Sequence, residues 1–180
     1  MTISRAIKEY LRFLTVSKGY SSHTLTNYRH YLSIFEKWAT ENKITEIEKV
    51  VGEDIEEFQL FLTSADPPKS AATKNYYLIA LRAMLKYLLG RDVEVLSPDK
   101  IHLSKTPQRQ VNFFESDEIE RLRATIPSTL IGKRDRAIFS VLYASGLRIS
   151  ELVALKRNQV STISGEFSVV GKGGKVRPVF

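Results

Sequence analysis

The chain has 180 residues, of which 43% are hydrophobic and 26% are charged, a balance typical of one folded domain or two small ones. It contains no cysteine, which excludes a disulfide framework, a thiolate metal site and a cysteine nucleophile. The net charge of +7 favours a polyanionic partner such as nucleic acid, although a solvated cationic surface has the same composition.

Apolar residues recur at helical spacing through the first half of the chain. Serines stand where two of these helices would begin, and a Pro-Pro pair separates the last two helices. The pattern predicts a small all-helical bundle over residues 1–90. Its helices are expected over residues 3–16, from 22 to about 41, in a shorter segment that begins at 54, and from 70 to a stop at Gly90.

The pattern loosens over residues 91–112, where Pro98 and Pro107 interrupt it, and we predict an interdomain linker there. A second domain is expected over residues 113–180. Its predicted elements are helices over residues 116–124, 135–143 and 148–156, followed by a β-hairpin with strands 168–170 and 176–180 around a glycine turn. The fold class predicted from this order is mainly α, with a small β-hairpin in an α+β second part.

The amino terminus carries charges every few residues, and no apolar run approaches the length of a signal peptide core or a membrane span. We therefore predict a cytoplasmic protein without a membrane partner. The three histidines (His23, His30 and His102) show no paired metal-ligand spacing, so no metal site is predicted.

Charge is distributed unevenly along the helical bundle. Residues 46–57 are rich in Asp and Glu, whereas residues 67–91 contain no acid at all. Within that basic segment, Lys74, Arg82 and Lys86 differ by 8 and 4 positions, which predicts that they share one helix face. Such a face is suited to binding DNA, although an ordinary solvated helix face shows the same pattern.

The segment Tyr143–Leu152 places Arg148 at the start of a helix, directly after the turn at Gly146. A guanidinium there can make two parallel hydrogen bonds to one phosphate, and the helix amino terminus favours the same anion. Glu151 follows by three positions and can hold the arginine from the same helix face. The alternative is an ordinary Arg–Glu pair on a helix surface.

The segment Val169–Val179 is a hairpin whose turn presents Lys172, with Lys175 and Arg177 nearby. A lysine at a hairpin tip can reach into a DNA groove and donate a proton to a leaving oxygen. The alternative is a solvated turn, in which glycine and lysine are common.

Together, these two segments resemble the tyrosine recombinase, or phage integrase, family, most closely its bacterial and archaeal Xer type. Lys172 follows Arg148 by 24 positions, and the resemblance extends over the whole chain. Other residues that carry it are Gly19-Tyr20-Ser21, Thr24, Tyr28, Leu32, Phe35, Trp38, Ser70, Thr73, Asn75, Leu81, Tyr87-Leu88 and Phe113-Phe114-Glu115.

The resemblance implies a SAM-like core-binding bundle over residues 1–90 and the first part of a catalytic domain over residues 113–180. Members of this family cut and rejoin DNA at specific sites through a 3′-phosphotyrosine intermediate, without a metal or other cofactor. Double-stranded DNA is the implied partner, and full-length members form tetramers on it. Arg148 matches the first catalytic arginine, Lys172 the lysine that protonates the leaving oxygen, and Glu151 an acidic supporting position. The DNA-binding residues that we expect are Lys74, Arg82, Lys86, Lys175 and Arg177.

The chain departs from the family pattern at its end. A complete member continues with a His-x-x-Arg motif and a late nucleophilic tyrosine, whereas all eight tyrosines here precede Arg148. We therefore expect a carboxy-terminally truncated recombinase that cannot cleave DNA by itself. Two alternatives remain: a DNA-binding decoy or regulator derived from a recombinase, and an unrelated helical interaction protein.

Overall fold

A computed structural model describes residues 1–107, 110–160, 165–171 and 174–179. The chain divides into two compact units, residues 1–109 and 110–180. Within the described ranges, no helix combines the length and the apolar character that a bilayer crossing requires.

The first unit is a helical bundle, as the sequence predicts. Ser21 and Ser70 cap the amino termini of its two long helices by accepting hydrogen bonds from the backbone N–H groups of Thr24 and Thr73. The third helix begins two residues before the predicted start, because the Asp54 carboxylate accepts the Val51 N–H at 2.8 Å. The helices of this unit are α1 (Ile3–Val16), α2 (Ser22–Glu41), α3 (Gly52–Ser64) and α4 (Ala71–Leu89).

Aromatic side chains form the centre of this bundle. Phe58 of α3 is fully buried, and its ring centroid lies 5.1 Å from that of Phe35 and 5.3 Å from that of Trp38. The apolar stripe of α4 completes the core with Leu78, Leu81, Met84, Leu85 and Leu88, all of them buried. Burial of these large side chains is the main favourable contribution to the folding of this unit.

The segment after α4 packs on the bundle, although we predicted a linker over residues 91–112. Ile101 is buried in the bundle core. The Asn75 side chain also pairs with the Ser104 backbone in both directions, since its amide donates to the Ser104 carbonyl and its oxygen accepts the Ser104 N–H, each at 2.9 Å. These contacts attach the chain to the bundle as far as Ser104, and our division of the chain into domains stays a prediction.

The second unit contains α5 (Ser116–Ala124), α6 (Leu130–Ser145), α7 (Ile149–Ala154) and the strands β1 (Phe167–Val170) and β2 (Val176–Val179). The two strands pair antiparallel, with Phe167 opposite Val179 and Val169 opposite Arg177. This arrangement confirms the predicted helices followed by a hairpin. The hairpin packs Val169 and Val179 on Leu147, and these three residues form a second buried cluster.

Helix α6 begins five residues before the predicted start at Asp135. The Thr129 hydroxyl caps it by accepting the Gly132 N–H at 3.1 Å. The carbonyl of Pro127 approaches Gly132 so closely that an added Cβ atom would lie 1.8 Å from its oxygen. The first turn of α6 exposes Leu130 and Ile131. Its start was missed because a local cap and a close backbone approach replace the apolar periodicity there.

Candidate functional site

A tight turn between α6 and α7 sets the position of Arg148. Gly146 ends α6 in the left-handed region, at φ +58°, and its N–H donates to the Leu142 carbonyl at 3.0 Å. A residue with a side chain is strained at that φ, which explains the glycine. Leu147 is buried against the hairpin. Arg148 follows in extended conformation as the residue that precedes the first turn of α7.

Glu151 is a buried charge in the second unit, and its carboxylate binds two arginines. Its Oε1 accepts a hydrogen bond from Arg148 Nη1, and its Oε2 accepts one from Arg177 Nη2, each at 2.9 Å. The Arg148 backbone N–H also donates to Oε2, at 2.9 Å. The Glu151 side chain is 6% exposed, whereas that of Arg148 is 64% exposed. Glu151 therefore binds Arg148 from the buried side of the site, and the Arg148 guanidinium remains accessible to an anion from solvent.

Arg177 reaches Glu151 from β2. Strand alternation places it on the same inward face as buried Val179. Its Nη2 also donates to the Gly146 carbonyl at 3.3 Å. Its Nε is buried and has no hydrogen-bond partner among the residues that the structure describes. Sequence reasoning gave Arg177 a role in DNA binding, which stays a prediction, and did not foresee its contact with Glu151.

The environment of Glu151 lowers the pKa of its carboxyl to about 2. The largest cause is the hydrogen bond from the Arg148 backbone N–H, followed by the hydrogen bond from the Arg177 guanidinium, while desolvation acts in the opposite direction. The carboxylate is therefore ionised throughout the physiological pH range. Within the described ranges, no three His, Asp or Glu side chains lie close enough together to hold a metal ion.

A pH titration should show the lowered pKa of the Glu151 carboxyl directly. Because the pKa in the folded chain lies below the ordinary value of 4.5, the ionised carboxylate stabilises the second unit above about pH 4.5, and that stabilisation disappears as the pH falls to about 2. The carboxyl ¹³C resonance of Glu151 is expected to titrate with a midpoint near the lower value. The difference in the free energy of unfolding between the wild type and Glu151→Gln should decrease as the pH falls from about 4.5 to about 2. A midpoint near 4.5 would contradict the geometry.

The hairpin turn is described only in part. Lys172, the predicted leaving-group acid, lies outside the described residues. The Gly171 N–H donates to the Lys175 carbonyl at 2.8 Å, which closes the hairpin next to the turn, and the Lys175 side chain is exposed. The catalytic and DNA-binding roles given to these lysines stay predictions.

The predicted basic stripe of α4 divides into two parts in the structure. Lys74 Nζ donates to Thr63 Oγ1 of α3 at 2.9 Å. Arg82 Nη2 lies 4.0 Å from Asp99 Oδ1. Arg82 and Lys86 also line the same groove, which has a volume of about 260 Å³. Arg82 and Lys86 therefore share one surface, whereas Lys74 is held beside α3. A spacing of 8 positions turns a helix by about 80°, which explains the separation.

Sequence reasoning missed a second group of cations, on α1 and after α4. Arg5, Arg12 and Arg91 line a cavity of about 550 Å³ together with Phe13 and Tyr87. The Arg91 guanidinium lies 4.8 Å from the centroid of the Tyr87 ring, within the range of a cation–π contact. The spacing of seven between Arg5 and Arg12 places them on one helix face and was the available signal.

Family comparisons agree with the two-unit architecture. Residues 7–92 match the phage integrase N-terminal SAM-like domain, and residues 112–180 match the phage integrase family. The chain therefore belongs to the phage integrase family of tyrosine recombinases, and the predicted family is confirmed.

Among curated proteins, the chain is similar to recombinases of the Xer type. It is 33% identical over 175 residues to tyrosine recombinase XerD of Lacticaseibacillus casei, which covers 96% of this chain and 58% of the relative. It is 32% identical over 172 residues to tyrosine recombinase XerC of Escherichia coli O157:H7, which covers 95% of this chain and 57% of the relative. The chain thus spans somewhat less than three-fifths of the length of these relatives.

A solved structure supports the fold over the same range. A lambda integrase tetramer bound to a Holliday junction has a TM-score of 0.78 with this chain at 15% identity, covering 99% of this chain and 50% of that one. The likeness confirms the predicted fold, a helical SAM-like bundle followed by integrase elements.

Proposed function

We propose that this chain supplies the DNA-binding bundle and part of the active site of a site-specific tyrosine recombinase, which cuts and rejoins DNA through a 3′-phosphotyrosine intermediate. The observation that carries the proposal is the position of Arg148. Buried Glu151 holds it at the start of a helix, with its guanidinium exposed, in a chain that belongs to the tyrosine recombinases.

In this proposal Arg148 binds the scissile phosphate. Of its three guanidinium nitrogens, only Nη1 is bonded to Glu151 within the described part of the site, so Nε and Nη2 can bind two phosphate oxygens side by side. A guanidinium held in advance stabilises the negative charge that grows in the transition state of phosphoryl transfer. Lys172 is assigned to protonate the departing 5′ oxygen. Glu151 supports the site because it fixes Arg148.

The proposed partner is double-stranded DNA, and the proposed location is the cytoplasm. Of the five basic groups predicted to bind DNA, four are assigned to the duplex: Lys74, Arg82, Lys86 and Lys175. The fifth, Arg177, contacts Glu151. The solved lambda integrase in the comparison is a tetramer bound to a Holliday junction. We propose that the complete recombinase corresponding to this chain also assembles as a DNA-bound tetramer.

The alternative is a catalytically inactive decoy or regulator that keeps the DNA-binding bundle of a recombinase. Both proposals require DNA binding by this chain. They differ in the gene beyond the codon for Phe180. An open reading frame that encodes a His-x-x-Arg motif and a late tyrosine supports the recombinase, and a stop codon at that point supports the decoy.

A polypeptide of these 180 residues is expected to bind DNA without forming a covalent link to it, because all eight of its tyrosines precede Arg148. The measurement uses a nicked duplex that traps phosphotyrosine, followed by denaturing electrophoresis. A complete Xer recombinase on its own site is the positive control. An adduct from the 180-residue chain would sink this proposal. Tyr143→Phe would then be the first variant to test, because Tyr143 is exposed and stands five positions before Arg148.

A further inference from the structure

Arg177 connects three parts of the candidate site that are distant in the sequence. It belongs to β2, its Nη2 bonds Glu151 of α7 at 2.9 Å, and the same nitrogen reaches the Gly146 carbonyl of the turn at 3.3 Å. The hairpin and the turn that presents Arg148 are therefore linked through one guanidinium. A surface arginine that only attracts DNA has no need of these two contacts.

The two oxygens of Glu151 have different partners. Oε2 accepts from the Arg148 backbone N–H and from Arg177, whereas Oε1 accepts from the Arg148 guanidinium. The bond from Arg177 thus helps to fix the rotation of the carboxylate, so that Oε1 points toward Arg148. Without it, the Arg148 backbone N–H is the one remaining partner of Oε2 within the described residues, and the carboxylate is held less firmly against rotation about its last bond, because that torsion is broad in glutamate.

The charge of the cluster also depends on Arg177. Two guanidinium groups share one carboxylate, which leaves a net charge of about +1 for an anion at the exposed side of the site. A Glu151–Arg148 pair alone would be neutral. Because of Arg177, the site keeps a net positive charge although Glu151 is paired with Arg148.

We propose that Arg177 is a positioning residue that acts through Glu151 on Arg148, and that it does not itself bind a DNA phosphate. This inference rests on the proposed function, in which Arg148 binds the phosphate. The exposure of the two side chains supports this division of roles, because Arg177 has a buried Nε and is 39% exposed, against 64% for Arg148.

A double-mutant cycle on DNA affinity tests the inference. The probe is a fluorescein-labelled DNA duplex at low salt, and the variants are Arg148→Gln, Arg177→Gln and the two combined. Arg148→Gln should weaken binding about tenfold or more, as expected for a charged hydrogen-bond donor. Arg177→Gln should weaken it about three- to tenfold in the wild-type background, and by less than about twofold when Arg148 is already replaced.

Other outcomes distinguish a failure of the inference about Arg177 from a failure of the proposed function of Arg148. Additive losses, together with a smaller salt dependence for Arg177→Gln, mean that Arg177 binds DNA itself, which overturns the inference and leaves the proposed function standing. No loss from Arg148→Gln means that Arg148 is not a phosphate ligand, which overturns the proposed site and the inference with it. Arg121→Gln is the control, because it removes the same charge from an exposed pair with Asp117 in the same unit.

A further variant keeps the test decisive if Arg177→Gln does not fold. Arg177→Lys preserves the charge but replaces the planar fork by a single ammonium group, so its hold on Glu151 is weaker. The inference then expects the penalty of Arg148→Gln to be smaller in the Arg177→Lys background than in the wild-type background. An equal penalty in both backgrounds counts against it. Backbone amide spectra verify that each variant retains the hairpin and the turn.

Discussion

Replacing Phe58 with alanine is expected to lower the free energy of unfolding of the helical unit by about 3–5 kcal/mol. Its ring is fully buried and packs edge-on against Phe35, at 81° between the ring planes. Its ring centroid also lies 5.3 Å from that of Trp38 and 6.4 Å from that of Tyr77. Removing the ring therefore removes aromatic contacts with both α2 and α4. The cavity that remains is lined by rigid rings that collapse poorly.

Chemical denaturation followed by Trp38 fluorescence measures this loss, because the indole belongs to the same cluster. Leu60→Ala on the same helix is the matched control. Leu60 is exposed, so its truncation should change the free energy of unfolding by no more than about 0.5 kcal/mol. Equal losses for the two variants would show that α3 does not pack through Phe58.

The helices of the first unit were predictable because their signals are local. Ser21 and Ser70 cap helices three residues before the threonines whose N–H groups they accept, and the buried leucines of α4 follow the helical period. The packing of residues 91–104 was not predictable. It depends on the pairing of Asn75 with Ser104, 29 positions apart, and the loose, proline-interrupted pattern of residues 91–112 suggested a free connection.

In the candidate site, too, the contact between near neighbours was predictable from the sequence and the contact between distant residues was not. Glu151 stands three positions after Arg148, the residue that precedes α7, so their contact could be expected from the sequence. The contact of Arg177 with Glu151 joins residues 26 positions apart and depends on hairpin register and on the turn at Gly146. One signal was available: Arg177 alternates with the apolar Val179 on a strand, which places both on the inward face.

Binding to DNA is expected to weaken about 10³-fold when the salt concentration rises from about 50 to about 200 mM, if about six phosphates are neutralised. Each neutralised phosphate adds about 0.9 to the slope of log affinity against log salt, because it releases condensed counterions. The cations that we assign to DNA are Lys74, Arg82, Lys86, Arg148, Lys172 and Lys175. Fluorescence anisotropy of a labelled duplex, titrated at several salt concentrations, measures the slope.

Replacing Lys74, Arg82 and Lys86 with glutamine should reduce this slope by about 2.7, if each contacts one phosphate. Arg82 and Lys86 share a groove, whereas Lys74 is bonded to Thr63, so single variants should show which of them contribute. The matched control replaces Lys8, Lys37 and Lys49, which are exposed cations on α1, α2 and the short segment before α3. An equal reduction in the control would mean that the slope reports total charge and that α4 does not form the DNA-binding face. An unchanged slope in the α4 variant would mean that these three side chains face solvent or protein in the complex.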